Sequence, residues 1–167
     1  MNNTSTQILR FLGLLLLQVT ICNNINFLGY INPYVYVLFV LVFPINVNRQ
    51  LFLFLSFLLG LCVDIFSDSG GVHAAATVAL AYFRPPVLKF SFGAMYDYQT
   101  IKFSNTEIGS RIGYFTLLVV LHHLILFSLE VFKFSEILLV LKKTLFSSLF
   151  TIFICLLFTV LFSKKTK

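Results

Sequence analysis

The chain has 167 residues, 59% of them hydrophobic and only 11% charged, with 21 phenylalanines and a formal net charge of +6. A soluble domain carries about 45–50% apolar and about 25% charged residues, so a water-soluble core is excluded. The basic residues sit between and after apolar blocks, where they set membrane orientation rather than bind nucleic acid.

Runs such as FLGLLLLQV, LFLFLSFLLGLCV and LFTIFICLLFTVLF concentrate the apolar excess as repeated bilayer crossings require. The expected fold is therefore an all-α integral membrane domain, one bundle of about six transmembrane helices over residues 1–167. The first span covers residues 8–25. Arg10 before FLGLLLL resembles a signal-peptide start, but no small-x-small cleavage site follows and VTIC lacks the small residue expected before a lipidated cysteine, so the segment is expected to be retained. Asn23, Asn24 and Asn26 with Gly29 end it in a turn.

Span two, 31–47, opens at Asn32-Pro33, where a missing N–H is harmless in a first helical turn. Tyr30, Tyr34 and Tyr36 mark that end as interfacial, and Pro44 kinks or finishes the helix. Span three, 51–66, ends with Gly60 and Asp64 on one helical face. Span four, 71–90, is short if it stops at Arg84-Pro85-Pro86. Either it continues kinked through the prolines, or spans three and four form a re-entrant hairpin buried in protein. Residues 91–110 form a cytoplasmic loop. Span five covers 111–129, a mixed segment from Glu130 to Lys143 makes an interfacial amphipathic turn or two, and span six covers 144–162.

Six spans place both termini on one side. With the N-terminus inside, Arg10, Arg49, Arg84, Lys89, Lys102, Arg111, Lys164, Lys165 and Lys167 are cytoplasmic, against Lys133, Lys142 and Lys143 outside. That asymmetry favours both termini in the cytoplasm.

Few polar residues interrupt the spans. Asp64 is either an interfacial carboxylate that caps the following turn with Asp68, or an inward group that fixes helix packing or a partner's donor. Gly71, Ala75 and Ala79 recur at i, i+4 and i+8 and allow close helix approach, within this chain or to a partner's span. Gly70 belongs to the same turn. His73, at a helix N-terminus, is expected to donate to Asp64 or Asp68. His122 and His123 are adjacent and point about 100° apart, which suits interhelical hydrogen bonds better than a shared metal. Cys22, Cys62 and Cys155, odd in number and each in an apolar block, read as small hydrophobes. With no nucleophile elbow, phosphate loop, dinucleotide fingerprint or HExxH, no enzymatic activity, cofactor or metal is expected.

The pattern Gly60, Leu61, Asp64, Gly71 and Ala74 to Ala76 resembles the signature region of the bacterial rod shape-determining MreD family. Size, span number and basic tail are similar too, and the tyrosine-rich start of span two with His122-His123 is similar to Bacteroidetes members. The resemblance implies a non-catalytic subunit of the bacterial inner membrane. Its implied partners are an MreC-like protein, the MreB-type filament, and the transglycosylase and transpeptidase of lateral-wall synthesis. It also implies an architecture similar to the substrate-binding membrane subunits of energy-coupling-factor transporters, and with it an alternative function, small-solute binding in a transporter.

Overall fold

The computed structural model describes residues 3–27, 31–93 and 106–161. Over these the chain is helical: α1 (Asn3–Thr20), a 3₁₀ turn (Cys22–Asn24), α2 (Val37–Val42), α3 (Arg49–Ser67), α4 (Val72–Phe92), α5 (Ile108–Val131), a second 3₁₀ turn (Phe134–Glu136) and α6 (Ile137–Leu161). No strand forms among the described residues, although Phe27 and Ile31 exchange a pair of backbone hydrogen bonds of 2.9 Å. Most of the loop expected at 91–110 lies outside the described residues.

Thr4–Asn24, Arg49–Ser67, Ile108–Val131 and Ile137–Leu161 are long and apolar enough to cross a bilayer. Their outer faces carry bare apolar side chains, among them Leu9 at 64%, Phe54 at 57% and Phe153 at 65% exposure. In water such a surface would drive association; against acyl chains it is the solvated face.

α4 takes the first of the two alternatives, continuing through the prolines. It runs 21 residues, through Pro85 and Pro86, and so reaches about 32 Å. Each proline removes the N–H that would bond the carbonyl four residues back, at Ala81 and Tyr82. Packing against α3 and α5 holds the helix across this gap.

The second expected span differs. Only Val37–Val42 is α-helical, a length of about 9 Å. Pro44 disfavours helical geometry at Phe43, which is extended at φ −60° and ψ 144°, and the helix stops one residue earlier. Residues 35–41 are buried throughout. Backbone with so few internal hydrogen bonds is tolerated at membrane depth only inside protein, and side chains from the surrounding helices supply what the short helix lacks.

On its N-terminal side, Gln18 Nε2 donates to Pro33 O at 3.2 Å and Gln18 Oε1 accepts from Tyr36 N at 3.4 Å. Thr151 Oγ1 accepts from Tyr34 N at 3.0 Å. On its C-terminal side, Tyr114 Oη donates to Leu41 O at 2.9 Å, while Arg84 Nη2 donates to Phe43 O and, at 3.4 Å, to Leu41 O. Arg84 Nε also donates to Tyr114 Oη at 3.0 Å, and its guanidinium lies 5.1 Å from the centre of the Phe52 ring. Arg84 is thus 3% exposed and is not a loop cation of the orientation count. It stabilises the carbonyl end of α2, where a cation is favoured.

The segment after Glu130 also differs from the interfacial turn expected. Phe132 takes a left-handed conformation at φ 44°, which ends α5. The next helix starts at Ile137 rather than 144, so Leu138 and Leu141 belong to α6. Lys143 Nζ donates to Glu130 Oε1 at 2.8 Å across this turn.

Candidate functional site

The junction between α3 and α4 is built by two residues one helical turn apart. Gly60 lets the helices meet backbone to backbone. A Cβ at this position would lie 2.6 Å from Ala74 Cα, 2.7 Å from His73 O and 2.8 Å from Ala74 N. Asp64, 5% exposed, then reaches the first turn of α4. Its Oδ1 accepts from His73 N at 3.0 Å and from Ser69 Oγ at 2.5 Å, and its Oδ2 accepts from Ala74 N at 2.8 Å. The carboxylate thereby caps a neighbouring helix, whose positive dipole end favours a negative charge. Gly70 and Gly71 have φ of 67° and 97°, and they make the reversal that presents α4 to Asp64.

His73 does not bond the carboxylates through its ring. Only its backbone N–H meets Asp64, while the imidazole Nδ1 lies 2.9 Å from Tyr36 Oη. The same hydroxyl lies 2.9 Å from His122 Nε2. A phenol has one proton, so Tyr36 donates to one ring and accepts from the other. His122 Nδ1, fully buried, has no hydrogen-bond partner among the described residues.

His123 belongs to a separate pair of bonds. Its Nδ1 is 2.7 Å from Val119 O, an acceptor only, so Nδ1 carries the proton and Nε2 accepts from Thr151 Oγ1 at 3.3 Å. The Tyr34 ring packs edge-on to His123 and against Phe127. Removing the bridging hydroxyl, as in Tyr36→Phe, leaves His122 with neither nitrogen bonded. We expect a loss of about 1–3 kcal/mol, read as a lower thermal midpoint in detergent. An unchanged midpoint would show that the bridge contributes nothing.

Beside this cluster a cavity of about 300 Å³ opens at the end of the bundle where α1 and α3 finish. Asn23, Asn24, Asn32, Tyr34, Phe66, Ser67 and His73 line it. Asn23 ties the two helix ends together, accepting from Gln18 Nε2 at 2.8 Å and donating to Ser67 Oγ at 2.9 Å. Among the described residues, no three His, Cys, Asp or Glu side chains are grouped to hold a metal ion. No family model matches the chain, and no curated protein or solved structure is significantly similar to it.

The small-residue stripe on α4 divides. Gly71 is the turn residue, and a Cβ there would meet nothing within 4 Å. Ala75 is exposed and Ala79 half-buried, whereas Ala74 and Ala76 face the bundle. The structure thus gathers Gly60, Asp64, Gly70, Gly71 and His73 at one junction, joins His122 to it through Tyr36, and leaves Ala75 on the outside.

Sequence reasoning passed over Gln18, Tyr114 and Thr151, and it took Tyr36 for an interfacial ring and Arg84 for a cytoplasmic cation, whereas both are buried and hydrogen-bonded. The available signal was their isolation: a lone Gln in LGLLLLQVT and a lone Arg inside a helix are costly in lipid unless each holds something.

Proposed function

We propose that the chain is a non-catalytic, multi-pass scaffold of the bacterial cytoplasmic membrane, acting in a cell-elongation complex of the kind its MreD-like pattern implies. In this reading the chain crosses six times, the 31–47 segment with its buried core included, and keeps both termini in the cytoplasm. The outward face of α4 receives a transmembrane helix of an MreC-like partner, and the bundle places that partner beside the peptidoglycan synthases and the MreB-type filament.

The supporting observation is the division of labour among small residues. Gly60 makes the close helix contact within the chain, so Ala75 is not used for it and stays exposed, with half-buried Ala79 one turn further along the same face of α4. In lipid, helix association relies on close packing at small residues, because apolar surface alone gives no preference for protein over acyl chains.

The test is the double substitution Ala75→Leu with Ala79→Leu, which adds bulk on the outer face while leaving the Gly60 contact intact. Co-purification with the MreC-like partner should fall at least tenfold while membrane insertion and thermal midpoint match the parent. Undiminished co-purification would overturn the assignment of this face.

A further inference from the structure

The cavity at the open end of the bundle has a chemistry that the scaffold reading does not use. We propose that it binds a neutral hydroxylated ring of monosaccharide size. Its volume of about 300 Å³ equals that of about ten liquid waters, enough for one such ring.

The lining selects the class. Among the described residues, no Asp, Glu, Lys or Arg lines it. The nearby Asp64 carboxylate already accepts three hydrogen bonds from its own junction. An anion or cation bound in the cavity would therefore lose hydration without meeting an opposite charge. A purely apolar guest would leave the asparagines' remaining donor and acceptor sites without partners, also a disadvantage.

The amides are held in place and keep hydrogen-bonding capacity. Asn32 accepts from Asn26 N at 2.8 Å and donates to Asn26 Oδ1 at 3.1 Å. Asn24 uses one N–H, to Thr20 O at 3.1 Å. Each amide has two N–H donors and a carbonyl with two lone pairs, so Asn23, Asn24 and Asn32 each retain at least one donor and one acceptor site. A donor and an acceptor on one planar group match the paired hydroxyls of a sugar ring. Tyr34 and Phe66 add aromatic faces for its C–H surface, and Phe66, 64% exposed, sits beside the lipid-facing Ile65.

The same ring chemistry reaches this position either free in water or as a glycolipid headgroup, and the experiment separates the two. The full-length protein in phosphatidylcholine nanodiscs is titrated with methyl α-glucoside by saturation-transfer NMR. A parallel preparation carries monoglucosyl diacylglycerol in the disc, with the glucolipid retained on purified protein measured against the phospholipid. Saturable binding of the free glucoside assigns a soluble sugar, and selective retention of the glucolipid assigns a headgroup; either supports the proposal.

Asn24→Leu and Phe66→Ser alter exposed lining positions and should each weaken the interaction at least fivefold, with parental thermal midpoints. Glucose 6-phosphate should bind at least tenfold more weakly than the glucoside. Absence of both interactions, unaltered binding in both variants, or equal binding of the phosphorylated sugar would overturn it. The Ala75→Leu, Ala79→Leu protein should bind the sugar normally, so failure of the partner assignment leaves this result intact.

Discussion

Gly60→Ala is expected to destabilise the protein, although alanine is the better helix former. In an unobstructed helix this exchange gains about 1 kcal/mol. At Gly60 the added methyl meets the backbone of His73 and Ala74 at 2.6–2.8 Å, and backbone, unlike the tip of a long side chain, cannot swing aside. α3 and α4 must separate, at a cost of about 1–3 kcal/mol or more. That separation also pulls Asp64 away from the amides it caps, so the two losses add.

Gly113→Ala on α5 is the internal control. A Cβ there meets nothing within 4 Å, and the helix propensity gain should appear alone. Thermal unfolding in one detergent should give a lower midpoint for Gly60→Ala and an equal or higher one for Gly113→Ala. Equal midpoints for the two variants would refute the backbone contact.

Asp64→Ala is expected to have the larger effect, a loss of about 3 kcal/mol or more. It strips the acceptor from two buried backbone amides and from Ser69 Oγ, all at a helix end where negative charge is favoured. An ionised carboxylate costs several kcal/mol at membrane depth, and these three donors are what offsets that cost. Asp64→Asn should fall between parent and alanine. Its carbonyl keeps one amide bonded, while its NH₂ group is turned toward a second donor. Amide exchange at His73 and Ala74 should accelerate in step with the loss of stability. Parental exchange rates in Asp64→Ala would show that the first turn of α4 needs no carboxylate.

The two substitutions address one device, and its spacing is readable in the amino-acid sequence alone. The spacing of four from Gly60 to Asp64 places both on one face of α3, and Gly70-Gly71 announces a reversal. What could not be read was the receiver. The histidine whose ring was expected to meet Asp64 offers its backbone N–H instead and turns its imidazole to Tyr36, 37 positions earlier in the chain. Pro44 was legible as the end of a helix. The continuous burial of residues 35–41 was not, because a run such as VYVLFVLVF reads alike facing lipid or facing other helices.

The amino-acid sequence by itself determined that this protein is helical and apolar in blocks; of the six spans expected from it, the structure has four helices long and apolar enough to cross a bilayer among the described residues. It also located the turn of α3 into α4. These follow from local quantities: transfer free energy summed over about 20 residues, helical period, and the backbone limits of glycine and proline. Only the tertiary structure decided that α2 is a six-residue core element supported by Gln18, Thr151, Arg84 and Tyr114. It likewise decided that α4 runs through its prolines, that Tyr36 links His73 to His122, and that three asparagines share a cavity with an aromatic rim. Those outcomes depend on which buried donors and acceptors lie within about 3 Å once helices far apart in the chain have packed, a distance that no hydropathy pattern encodes.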